Sequence, residues 1–268
     1  MHYLVPVDFS DNSLKALDFA IALASPKVDR ITLVHIVETH YDFASQVEFF
    51  TKQQLVEGKK RGKELHSKHK DSKISLSFKL AEGNPALQIS QLATKQKVDL
   101  IVMGTKGASG VTKSLIGTVA VSVIREAPCP VLVVPATATK TNLHQFVLGL
   151  EFADHEPPML DILAKQLKKW KGKLQVIHVQ PSEKQEFKQV LLELGIKQYL
   201  SKKYPSLKAE FLKLTGEKPA EALSAHMESQ PGILVMCHAK QGLLEELFTK
   251  SDSIQMAFQT KAPLLVLR

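Results

Sequence analysis

Cysteine, aromatic residues and long apolar runs are all scarce in this chain. Its 268 residues include two cysteines, Cys129 and Cys237, one tryptophan and 6 % aromatics. Two thiols exclude a disulfide framework and a four-thiolate zinc site, and they suit a reducing cytoplasm. No apolar run approaches the roughly 18–20 residues of a membrane span. The start, Met1-His2-Tyr3-Leu4-Val5-Pro6-Val7-Asp8, has neither the basic flank nor the long apolar stretch of a secretory signal. A Walker A loop is missing, which excludes an ordinary P-loop NTPase. No Ser-His-Asp or paired-carboxylate constellation stands out.

What is present is a large apolar fraction, 44 %, enough for a buried core and against global disorder. The charge is basic, 35 Lys+Arg against 27 Asp+Glu, for a net +8. That excess is spread along the chain, and its densest stretch, Lys59-Lys60-Arg61 with Lys63, Lys68 and Lys70, lies in a polar helical segment without interleaved aromatics. Such a stretch reads as a solvated helix face rather than a nucleic-acid groove.

Apolar runs and helical periods alternate. Tyr3–Val7, Ile31–Val37, Ile74–Leu80, Leu100–Met103 and Val131–Val134 read as strands. Between them Ser13–Ala24, Gln46–Lys70, a segment opened by Asn84-Pro85, and Thr118–Glu126 read as helices. Nearly all-apolar strands separated by helices predict a parallel sheet covered on both faces, an α/β fold. After the small polar stretch Ala136–Asn142 the order begins again. Phe146–Phe152 answers Leu4–Phe9, Leu174–Val179 answers Leu33–Val37 with His178 in the place of His35, and Ile233–Met236 answers Leu100–Met103. Two domains are therefore expected, 1–138 and 139–268, produced by duplication rather than by a short solenoid period.

One loop carries chemistry. Gly104, Gly107 and Gly117 punctuate the stretch between the fourth strand and fourth helix, where glycine permits positive φ and close approach of a ligand. Gly117-Thr118 opens a helix, whose unpaired N–H groups and dipole suit an anion. On the residues alone the loop is either a phosphate cradle or a plain turn. In the second half, 133 residues on, Gly104 becomes Cys237, Gly107 becomes Lys240, Gly117 becomes Lys250 and Thr118 becomes Ser251, while Asp8 becomes Glu151 in the strand that answers the first. The added side chains predict a structural or regulatory half. Asp8 serves either a ligand or only a helix dipole. His35 and His178 read as strand-end core histidines, His66 and His69 as a solvated helix face, and both cysteines as inert.

The pattern Met103-Gly104-x2-Gly107-x9-Gly117-Thr118, closed by Pro130-Val131-Leu132-Val133-Val134, resembles the nucleotide-binding signature of universal stress proteins. Pro6-Val7-Asp8-Phe9-Ser10 and Val34-His35-Ile36-Val37 resemble the same family. The resemblance implies two tandem five-stranded α/β domains, a cytoplasmic location and, in one branch, ATP binding with a divalent cation such as Mg. It places Asp8 beside adenine and ribose, and the backbone near Pro6 and Ile36 against the base. Met103, Gly104 and Gly107 match positions that hug ribose and phosphates. Gly117, Thr118 and Val119 match positions that hold phosphates through N–H groups and a hydroxyl. Ala120 departs from relatives that offer another hydroxyl there. The implied function is a nucleotide-dependent stress-response module, not an enzyme, with an adenine nucleotide as partner. The competing reading is a nucleotide-independent interaction protein whose glycine loop is only structural; an enzyme needs a metal-holding carboxylate that only Asp8 supplies. The resemblance further implies that the two final strands, Val131–Val134 and Leu264–Leu267, associate as a pseudo-dimer within the chain, with a homodimer of chains beyond it.

Overall fold

β1 (His2–Pro6) is the strand around which the first half is built, and its first four residues are buried. It pairs in parallel with β2 (Arg30–Val37) on one side and with β4 (Leu100–Gly104) on the other. β3 (Ser75–Glu82) extends the sheet beyond β2, and β5 (Val131–Val134) extends it beyond β4, giving the order β3-β2-β1-β4-β5. Parallel neighbours need crossovers. These are α1 (Asp11–Leu23), α2 (Ala44–Lys68), α3 (Pro85–Gln96) and α4 (Thr118–Glu126). The chain winds outward from β1 to β3, then returns to β4 on the far side of β1. The strand order thus reverses between β1 and β4, and α/β sheets open their ligand crevices at such a point.

The computed structural model describes residues 1–38, 44–105, 117–150, 156–180, 187–237 and 262–268. It divides into two units, Met1–Ala136 and Thr137–Arg268. In the second unit β6 (Gln145–Gly149), β7 (Lys173–Gln180), β8 (Ala209–Thr215), β9 (Ile233–Cys237) and β10 (Leu264–Leu267) form parallel pairs in the order β8-β7-β6-β9-β10. Its helices are α5 (Glu156–Trp170), α6 (Phe187–Lys203) and α7 (Pro219–Ser229). The registers match across the halves: Gly104 stands beside Val134 as Cys237 stands beside Leu267.

Local chemistry fixes the boundaries. Ser10 is the N-cap of α1, its hydroxyl accepting the Ser13 N–H at 3.3 Å, so the helix begins at Asp11 rather than at Ser13. Asn84 caps α3 in the same way through Leu87 N–H, with Pro85 in the first turn. α2 ends at Lys68, short of the expected Lys70, because a 3₁₀ turn over Lys70–Ser72 and a left-handed Lys73 redirect the chain into β3. His66 does not lie on a solvated face. Its ring is half-buried and Nε2 donates to the Leu76 carbonyl at 3.0 Å, tying α2 to β3. Burial pushes the Cys129 thiol up to about 12, so that residue stays protonated and inert. Among the described residues no helix is long and apolar enough to cross a membrane.

Candidate functional site

A cleft of about 1260 Å³ opens in the first unit where β1 and β4 part. Pro6 and Asp8 border it from the end of β1, Ile36 from β2, Met103 and Gly104 from the end of β4, and Gly117, Thr118 and Val119 from the start of α4. Eight of the nine residues expected at the site thus face one cavity; Gly107 lies outside the described residues, as do Glu151, Lys240, Lys250 and Ser251.

At one end of the cleft the β1–β2 ladder is stopped by a side chain. Val7 N–H donates to Val34 O at 2.8 Å as the last rung. The His35 Nδ1–H then donates to Val7 O at 2.8 Å, taking up the carbonyl that the next rung, from Ile36 N–H, would have used. Backbone bonding alternates along a parallel strand, so the Ile36 peptide points to the same side as Val34, where β1 has already ended. It therefore presents a donor and an acceptor to the cleft. The second unit repeats the stop: Leu150 N–H donates to Ile177 O, and His178 Nδ1–H to Leu150 O, both at 2.9 Å. Asp8 forms an Asx turn, its Oδ1 accepting both the Ser10 N–H at 3.0 Å and the Ser10 hydroxyl at 2.6 Å.

At the other end α4 begins without a side-chain cap. Gly117 is its N-cap, and Gly117 N–H donates to Thr105 O at 2.6 Å, pinning the base of the loop shut. The next amides, of Thr118 and Val119, lie in the first helical turn, where no intrahelical acceptor exists. They carry the positive end of the α4 dipole at the border of the cleft.

Gly104 has a task within the fold that the sequence did not suggest. Neither Gly104 nor Gly117 has positive φ; Gly117 sits at φ −73° and ψ 154°, open to any residue. At Gly104 an added Cβ would come within 2.8 Å of Asn12 Nδ2 and 3.1 Å of the Asn12 carbonyl oxygen. Its smallness seats α1 against β4. Sequence reasoning also missed the α2 wall. Gly58 leaves room for the His35 ring, 2.8 Å from where a Cβ would stand, and Arg61 and Phe9 border the cleft beside it. Phe9 adopts φ 62°, and its ring comes to 4.8 Å from that of His35. No group of three His, Cys, Asp or Glu side chains able to hold a metal occurs among the described residues.

This geometry defines a class: a doubly wound α/β protein, duplicated, with a strand-end cleft that offers backbone polar groups at one end and a helix N-terminus at the other. A model of the universal stress protein family matches residues 1–135, and the chain belongs to that family. It is 33 % identical over 135 residues to a universal stress protein of Methanocaldococcus jannaschii, covering 49 % of this chain and 79 % of that one. With a universal stress protein of Thermus aquaticus it shares 35 % identity over 137 residues, 49 % of this chain and 96 % of the relative. A crystal structure of a universal stress protein from Archaeoglobus fulgidus, 18 % identical, covers 100 % of this chain and 98 % of that one with a TM-score of 0.75. That likeness establishes the fold over both halves: two tandem universal-stress-protein-like domains.

Proposed function

We propose that the first unit binds ATP and that binding, not turnover, is its function, with the loaded or empty state changing what the chain contacts in a cytoplasmic stress response. The observation that carries this is the uncapped α4 N-terminus, with the Thr118 and Val119 amides at one end of a cleft whose other end presents the Ile36 peptide. In this reading phosphates lie against Gly117, Thr118 and Val119, the ribose near Asp8, Met103, Gly104 and Gly107, and the base edge against Pro6 and Ile36. A divalent cation such as Mg suits this arrangement when carried on the phosphates and completed by water, because the described residues offer no cluster of carboxylates to cage it. The packing of Gly104 against Asn12 favours a second reading, an interaction module whose glycine loop is structural. Mass spectrometry of the natively purified chain separates the two. An adenine nucleotide retained at one per chain supports the first, and its absence, together with no calorimetric response to added ATP, supports the second.

A further inference from the structure

Arg61 is an exposed cation on the α2 wall of the cleft. Its guanidinium carbon stands 4.6 Å from the centroid of the Phe9 ring, and among the described residues that ring is its one partner. Phe9 is itself held in place. Its φ of 62° is a conformation that bulky side chains avoid and that persists where the surroundings over-determine it. Its ring lies 4.8 Å from that of His35, whose own orientation is fixed by the bond to Val7 O and by the space left at Gly58. The stack Arg61–Phe9–His35 therefore ends on the strand that presents the Ile36 peptide, while the anion-binding amides belong to α4.

We propose that Arg61 is a ligand-binding residue that closes over the base: its planar guanidinium, carried on Phe9, stacks on the face of a purine held in the cleft. This rests on the nucleotide reading above and adds a residue to it. A guanidinium is suited to the task because it is flat, permanently charged and weakly hydrated, so it covers a π face at smaller desolvation cost than an ammonium. The second unit lacks the device. Counting back from Ser77 and Glu210, which hold matching registers in β3 and β8, Arg61 corresponds to Leu194, an exposed leucine.

Calorimetric titration of the full chain with ATP, adenosine and inorganic tripolyphosphate tests the assignment. Arg61→Ala and Arg61→Lys should each weaken ATP and adenosine by the same factor, about three- to thirty-fold, and leave tripolyphosphate unchanged. Phe9→Leu should produce a loss of similar size, and the Phe9→Leu, Arg61→Ala double variant should be no weaker than either single one. The thermal midpoint of Arg61→Ala without ligand should match the wild type, since the side chain is exposed. A loss confined to ATP and tripolyphosphate makes Arg61 a phosphate partner and overturns the proposal, as does full recovery in Arg61→Lys or no change in Arg61→Ala. A wild type that binds neither ATP nor adenosine brings down the nucleotide reading and this residue with it, whereas a wild type that binds and an unaffected Arg61→Ala bring down only the residue.

Discussion

At the scale of single residues, the cleft is shaped by what one position omits and by where one carboxylate is spent. Gly104 has no Cβ because Asn12 stands in its place, with backbone as well as side chain inside contact distance. Backbone cannot rotate away, so Gly104→Ala has to push α1 off β4, and we expect a loss of about 1–3 kcal/mol, the range for overpacking a tight site. Urea unfolding measures it, and an unchanged midpoint would show that α1 yields freely. Asp8 is different, because the structure gives its Oδ1 a local task in the Asx turn at Ser10. If the carboxylate also bonds a buried ribose, Asp8→Ala should lower ATP affinity by about 1–3 kcal/mol beyond any change in fold stability. Calorimetry at matched thermal stability separates these effects, and an unaltered affinity leaves Asp8 no role toward the ligand.

At the scale of elements, α5 and α6 are clasped by a polar knot that plays no part in the cleft. Asp161 accepts from Tyr199 at 2.6 Å, from Lys203 at 2.6 Å and from Tyr204 at 2.9 Å. The Lys203 bond, then that of Tyr199, holds the Asp161 carboxyl down at about 2. A carboxyl depressed on folding contributes stability that is fully present above its unfolded value near 3.8 and is lost as the pH falls through 2. The thermal midpoint of wild type should therefore exceed that of Asp161→Asn at pH 6, and the gap should close between about pH 4 and pH 2. A gap independent of pH would assign the clasp to packing. Elements differ in how plainly the sequence shows them. α4 and β5 are legible to the residue, because Gly117 and Pro130 punctuate strong local patterns. The start of α1 is legible only as a choice of caps, since the polar run Asp8-Phe9-Ser10-Asp11 suits a helix start and the side-chain bond of Ser10, not the apolar period, decides which residue is first. The seating of α2 is hidden. Gly58 and Gly62 look like weak points in a polar helix, yet each fits against a ring, His35 and Phe78, that is distant in sequence. Residues that border the cleft through the glycine motif are legible for their spacing; Phe9, His35 and Arg61 meet only after the strands have paired.

At the scale of the whole molecule, duplication has kept the frame and altered the fittings. Both units run the same strand order, and both stop the ladder beside the central strand with a histidine. Where the first unit has Gly104 the second has Cys237, and where the first has Pro6 the second has Gly149, with Leu223 3.2 Å from where its Cβ would stand. The glycines of the motif are replaced by Cys237, Lys240 and Lys250 in the sequence of the second half. A nucleotide that needs an uncapped helix start and small residues beneath it should therefore find one site in the chain, not two. Titration of the full chain should give a single site, and Gly117→Lys should abolish it by placing a long side chain at the N-cap of α4. Ligand bound only to the first unit stabilises that unit by linkage, about 2.7 kcal/mol at a hundred times the dissociation constant. Hydrogen exchange with saturating ATP should accordingly slow the amides of β1, β4 and α4 and leave those of β6, β9 and α7 unchanged. Two equivalent sites, or protection spread evenly over both halves, would mean that the second unit binds nucleotide in spite of its substitutions, and that the glycine motif is not what decides binding in this fold.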